Sequence, residues 1–337
     1  MNNEIPQEEI TPKEELAQAE ELIEEEPFQS KRPLFENIFI SSQEPRLRAG
    51  WRLVMQALFL GTLMLGLEYI VSYYLFRNNP SLEAYNFFTS QGIMFLSTIV
   101  SVYAARILLD QRSIISLGLK MNTRTWIDLA AGIGISALMM GIIFLVEWVF
   151  GWLKFEGFAW NLETTQSLLP SILITLGIFI IVGWQEELLS RGYWLQNLEN
   201  GLNIYWAVGI SSFIFAASHI WNPSFSIISL IGLIISAIFL AYGYTSSRRL
   251  WLPIGLHIGW NFFEGSVFGF PVSGLRTPSL ILHTVNGPIL WTGGDFGPEA
   301  GLILLLALTV GIFFIWAYTQ STAPELEEVE ETEEVNS

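Results

Sequence analysis

Residues 168–198 read LLPSILITLGIFIIVGWQEELLSRGYWLQNL. The first half is an apolar run, and about 20 such residues carry a helix across the ~30 Å hydrocarbon core of a bilayer. The second half breaks the pattern by placing Gln185, Glu186, Glu187, Ser190 and Arg191 on the same helix. Charged groups at membrane depth are expensive, so they face partners or water inside a bundle rather than lipid. A hydrophobic helix with a polar cluster at one end therefore implies a membrane bundle with a functional interior.

Seven further apolar stretches, 51–75, 91–109, 126–150, 204–220, 225–244, 250–268 and 302–318, surround this one. The fold expected is all-α: a polytopic integral membrane bundle of about eight transmembrane helices. Composition agrees, since 51% of residues are apolar and 14% charged, against about 25% charged in soluble domains. Two connections are long, 154–167 and 271–298. The second holds Gly274, Gly287, Gly293, Gly294 and Gly297 and is expected to be an ordered or re-entrant loop.

The net charge of −16 belongs to the two ends. Residues 1–30 hold ten glutamates against Lys13, and residues 325–334 hold seven more. Such segments repel themselves and bury no core. The expected organisation is an acidic disordered tail over 1–45, a membrane domain over 46–318 and a second acidic disordered tail over 319–337. No basic patch is present to neutralise phosphates, which argues against nucleic acid as a partner. The absence of cysteine excludes disulfides, thiolate metal sites and a cysteine nucleophile. The first thirty residues contain no short apolar core, so the first span is expected to act as its own insertion signal.

Basic residues orient the bundle. With a cytoplasmic N-terminus, inside segments carry thirteen Lys and Arg and outside segments only Arg77, Lys154 and Arg276, the asymmetry of the positive-inside rule. Eight spans then put both termini in the cytoplasm, in a cell inner or plasma membrane. The same bias suggests that a substrate enters from the cytoplasmic side.

Three clusters could carry chemistry. Glu187 and Arg191 stand at i and i+4, so they can pair, while Glu186, about 100° round the helix, is left on a neighbouring face as a general base or acid. The plainer reading of this pair is an acidic turn at a helix end. His219 follows Phe215-Ala216-Ala217-Ser218 at the end of the fifth stretch, where a lone histidine is more often structural. His257 and Asn261 share a face at i and i+4, with Pro253 a turn earlier and expected to kink the helix. Counting outward from Gly201 at ~1.5 Å per residue, Glu186 and His219 lie at similar depth, roughly 22–27 Å from the turn. Glu68 and Glu147 are expected to be buried against backbone or hydroxyl groups, and Glu264 to support His257. His283 has no helical partner and is expected to be incidental.

Glu186-Glu187-x-x-x-Arg191, Phe215-x-x-x-His219 and His257-x-x-x-Asn261 resemble, in order and spacing, the motifs of the CPBP (CAAX protease and bacteriocin-processing, or ABI) family of intramembrane proteases. The resemblance covers about residues 113–268 and includes Leu117-Gly118-Leu119. Ser190 departs from the aromatic residue usual before Arg-Gly, a matter of packing rather than chemistry. The resemblance implies an intramembrane endopeptidase, of CAAX-type prenyl-protein or leader-peptide processing, acting on a peptide or membrane-anchored protein. Glu186 would activate water, His219 would assist it or hold a metal, His257 would add a second histidine, and Asn261 would face the oxyanion. Glu187 and Arg191 would orient the site. Zinc on His219 and His257, with Glu186, is one option and a metal-free mechanism the other. The rival classes are a non-catalytic scaffold or immunity protein of the same fold and a proton-coupled transporter, for which internal repeats would be expected.

Overall fold

The computed structural model describes residues 38–41, 46–77, 79–161 and 165–335. By its contacts the chain divides into Met1–Pro45 and Arg46–Ser337. The acidic tail expected over 1–45 lies, apart from 38–41, outside the described residues.

The second unit is a helical bundle. Its helices are α1 (Ala49–Val71), α2 (Asn86–Leu108), α3 (Thr123–Val149), α4 (Thr165–Glu187), α5 (Gln196–Gly201), α6 (Ile204–Ala217), α7 (Ile227–Ser247), α8 (Trp251–Asn261), the short α9 (Ile289–Thr292) and α10 (Ile303–Val335). Among the described residues, six helical segments are long and apolar enough to cross a membrane, and the protein is a polytopic helical membrane protein. All eight stretches picked out by hydropathy are helical, but two are short. Helix α6 has 14 residues, about 21 Å at the α-helical rise. Helix α8 has 11 and continues as a π-helix over Phe262–Phe268. Two further π segments are Ser72–Phe76, which follows α1, and Leu188–Leu195, which joins α4 to α5.

The two long connections meet as an antiparallel ribbon of β1 (Leu153–Phe158) and β2 (Ile281–Val285), with Leu153 opposite Val285 and a bulge between Phe155 and Gly157. This ribbon is an addition to the all-α expectation. It arises because two chain segments leaving a bundle side by side can satisfy their backbone groups on each other. The 271–298 connection is ordered, as expected. At the other end of the chain, α10 runs on to Val335, where a disordered tail was expected from 319. Glutamate is a good helix former, and extending a helix nucleated in a span costs little.

Small residues set the spacing of the central helices. A Cβ on Gly132 would meet Leu256 N at 2.5 Å, one on Gly255 would meet Leu129 O at 2.5 Å, and one on Gly259 would meet Ile133 Cα at 2.8 Å. Helices α3 and α8 thus touch backbone to backbone, the packing that close association in lipid favours, and the Ser136 hydroxyl donates to Leu256 O at 2.7 Å across the seam. Gly183 does the same for α4, since its Cβ would lie 2.8 Å from the Ile258 side chain. Helix α8 is therefore wedged between α3 and α4, which brings His257 to the acidic end of α4. Pro253 lies in the first turn of α8 rather than inside a longer helix. It causes no kink there, because first-turn N–H groups have no intrahelical partner to lose.

Buried aspartates tie the arginine-bearing end. Asp110 accepts from Arg52 and from Arg106, each at 2.8 Å. Asp128 accepts from Arg124 at 3.0 Å, from Arg249 at 2.7 Å and from the Tyr318 hydroxyl at 2.6 Å. The Leu117-Gly118-Leu119 element docks at this end: Gly118, with φ +94°, accepts from Leu250 N at 3.0 Å.

Candidate active site

Helix α4 delivers Glu186 and Glu187 at its last residues, just before the π segment. Glu187 is fully buried and one of its oxygens serves two partners: Arg191 Nη1 at 2.7 Å and His257 Nδ1 at 2.8 Å. The i,i+4 pairing of Glu187 with Arg191 is as the sequence suggests. The bridge to His257 is not legible there, because it crosses between helices. Arg191 is held further by Ala237 O at 2.9 Å and lies over the Phe215 ring, 4.6 Å from its centroid, a cation–π contact in a desolvated setting.

Phe215 links the clusters. Its ring covers Arg191 and meets the His257 ring edge-on at 6.0 Å, and its carbonyl lies 2.9 Å from His219 Nδ1. The Ser218 hydroxyl is 3.2 Å from the same nitrogen. With Nδ1 of each histidine engaged by an oxygen, the tautomer with hydrogen on Nδ1 is the one these contacts favour, and Nε2 is left for other work. His257 Nε2 is 3.8 Å from Glu186 Oε2, beyond a direct hydrogen bond. Glu186 is the more accessible carboxylate, with 18% of its side chain exposed against none for Glu187.

Glu186, His219, His257 and Asn261 all line one cavity of about 250 Å³, while Glu187 and Arg191 sit behind it. Its remaining wall is largely apolar, including Phe179, Val182, Leu233, Phe239 and Leu240. Glu186 and His219, which the hairpin count expects at similar depth, line the same cavity. The cavity also draws on residues that sequence reasoning missed. Asn222, Ser273 and Glu299 line it, Asn222 Nδ2 donating to Ser273 O at 3.0 Å and the Ser273 hydroxyl donating to the Glu299 carboxylate. Burial holds the Glu299 carboxyl above its usual range, with the Ser273 hydroxyl and the two nearby histidines working against that. Ser273 and Glu299 lie in turns rich in Gly and Pro, and Asn222 in the turn after α6, where neither periodicity nor spacing marks a side chain as inward-facing.

The remaining acids and His283 separate cleanly. Glu147 and Glu264 are buried, and the Glu147 carboxylate has no hydrogen-bond partner among the described residues. For Glu147 this corrects the expectation of a backbone or hydroxyl partner: the surrounding helices have already spent those groups on their own ladders. Glu68 is half-buried on α1. His283 sits on β2 between Phe144 and Phe270, with ring centroids 6.0 and 4.7 Å away, outside the cavity.

Among the described residues, no three His, Cys, Asp or Glu side chains are gathered closely enough to hold a metal ion. His219 and His257 are each oriented through Nδ1 in the way zinc ligands commonly are, but Glu186 does not close a third position with them.

No curated protein matches the chain. Residues 168–263 match the family described as Rce1-like, type II CAAX prenyl endopeptidase. That segment runs from α4 through the start of the π turn after α8. It contains the three motifs and leaves out Ser273 and Glu299. The segment that carries the three motifs and one side of the cavity thus matches the CPBP, or CAAX protease, family of membrane-embedded peptidases.

Proposed function

We propose that the protein is an intramembrane endopeptidase in which Glu186 activates the attacking water. One observation carries this reading: Glu186, His219, His257 and Asn261, drawn from α4, the end of α6 and α8, converge on one cavity. Glu186, part-exposed in the cavity and with a buried Oε2 that has no hydrogen-bond partner, takes a proton from water as its oxygen attacks the scissile carbonyl carbon. The Asn261 amide faces the developing oxyanion, with His219 beside it. Glu186 then returns the proton to the departing amine, giving one carboxylic acid and one amine per water consumed. Glu187 and Arg191 act at a distance from substrate by fixing His257. Zinc on His219, His257 and Glu186 is the alternative, but the three side chains are not assembled as a ligand set.

The charge asymmetry supports an orientation with both termini in the cytoplasm of an inner or plasma membrane. Helix α6 starts beside the Arg248–Glu199 pair and ends next to His219, so the cavity lies toward the end opposite the arginines. On this orientation substrate reaches it from the outer half of the membrane, not from the cytoplasmic side that charge bias alone suggests. The substrate itself is a peptide or membrane-anchored protein, prenylated at its C-terminus or bearing a leader.

The test is cleavage of prenylated and plain peptides by the detergent-purified chain, beside Glu186→Ala and His219→Ala, with and without chelator. The reading expects cleavage by wild type and loss, by at least about 100-fold, in both variants. Cleavage that survives in Glu186→Ala overturns it. Loss on chelation with recovery on zinc selects the metal alternative. Solute uptake into proteoliposomes without cleavage selects the carrier, and peptide binding without cleavage the scaffold.

A further inference from the structure

Glu299 is the acid in the cavity that no motif accounts for. It lies just ahead of α10, outside residues 168–263, and is 5% exposed, its accessible part facing the cavity. Its position is tightly built. A Cβ on Gly232 of α7 would fall 1.8 Å from Glu299 O, so the backbone there rests directly against the helix. The turn before it closes through Gly293, whose Cβ would lie 1.8 Å from Gly297 O, and Gly297, whose Cβ would lie 2.0 Å from Pro271 O. Ser273 then orients the carboxylate, and both catalytic histidines are within its electrostatic reach.

The cavity's permanent charges are one-sided. Its lining holds the carboxylates of Glu186 and Glu299 and, apart from the His219 and His257 rings, no basic side chain. The nearest guanidinium, Arg191, is buried behind the wall on Glu187 and Ala237 O. A carboxylate kept in a largely apolar wall is costly unless a cation joins it. A second carboxylate brought beside it would add repulsion, stronger in a low dielectric than in water.

Resting on the endopeptidase reading, we propose that Glu299 is a specificity-determining residue which receives a basic side chain of the substrate next to the scissile bond. An acidic residue or a free C-terminal carboxylate is disfavoured at that position. The site then suits cleavage beside a lysine or arginine within a chain better than removal of a short C-terminal piece whose carboxylate would enter the cavity.

The test uses three otherwise identical peptides with Lys, Gln or Glu at the position flanking the cleaved bond, given to the full chain in detergent. Wild type is expected to prefer Lys over Glu by about tenfold or more in kcat/KM, the size of effect one desolvated charge pair supplies. In Glu299→Gln the KM for the Lys peptide rises, that for the Glu peptide falls, and the preference collapses. Gly232→Ala, which pushes Glu299 from its place, shifts the preference in the same direction. A Glu299→Gln variant that slows all three peptides equally, or leaves the preference intact, overturns the proposal. Binding of the peptides to Glu186→Gln, by fluorescence anisotropy, separates this from the catalytic reading. Lys-over-Glu binding that depends on Glu299 without any wild-type cleavage would keep the cation site and discard the protease. Cleavage without that dependence would do the reverse.

Discussion

At the scale of single residues, Glu187 matters because one oxygen holds two partners. Remove it and Arg191, 2% exposed, is left charged and unpaired in the bundle. Stranding one member of a buried ion pair costs about 3–5 kcal/mol, so Glu187→Ala is expected to lower the melting temperature in detergent markedly. It also frees the His257 ring. Glu186→Gln, by contrast, alters no hydrogen bond and should abolish cleavage while leaving melting nearly unchanged. Melting curves on the two variants check this division between holding and reacting. His283 carries a second expectation. Burial pushes its pKa down to about 4, whereas the unfolded chain titrates near ~6.5. Between these values the unfolded form binds more protons, so this contribution to stability is full above about pH 6.5 and falls as pH drops toward 4. His283→Phe, which preserves the contacts with Phe144 and Phe270, should therefore lose less melting temperature than wild type on going from pH 7.5 to pH 5.

At the scale of elements, the site depends on how closely α8 approaches α3 and α4. A side chain on Gly259 would meet Ile133 Cα and O and the Ser136 Cβ, none of which can swing away. Gly259→Val is expected to cost about 1–3 kcal/mol through overpacking and to shift His257 and Asn261 with the helix, reducing turnover as well as stability. Gly134, also on α3, has open space where its Cβ would be, so Gly134→Val should change neither; melting and turnover of the pair decide the point. The π segments belong to the same scale. Two of the three among the described residues border the motifs, one starting at Leu188 next to Glu187 and inside the first motif, the other at Phe262 next to Asn261, and such widened turns recur at functional sites. Nothing in hydrophobic periodicity announces them.

At the scale of the whole molecule, the arginines that orient the bundle also fasten it. Asp110 joins Arg52 of α1 to Arg106 of α2 and accepts a longer bond, 3.3 Å, from Asn197 of α5. Asp128 joins α3 to Arg249, just ahead of α8, and to Tyr318 of α10. Asp110→Ala strands two buried guanidiniums and is expected to destabilise by about 3–5 kcal/mol or more, read as a lower detergent melting temperature. Peptide preference at the distant cavity should remain unchanged in the protein that stays folded. A positive-inside count weighs Arg52 and Arg106 as free charges, yet in the fold both are paired with a buried aspartate.

The sequence by itself determined the helical membrane fold, because lipid demands long apolar runs and those runs are visible locally. It also determined the motif residues and the Glu187–Arg191 pair, because i,i+4 spacing places side chains on one face without reference to anything else. Tertiary structure alone decided that Glu187 also holds His257, that Phe215 stacks on Arg191, and that β1 pairs with β2. It alone brought Ser273 and Glu299 into the cavity wall. Each of these joins elements far apart in the chain, through turns whose course depends on what they pack against. The opening stretch, 168–198, specified which carboxylates enter the bundle; only packing against α6, α8 and the loop before α10 determined that Glu186 faces the cavity and Glu187 does not.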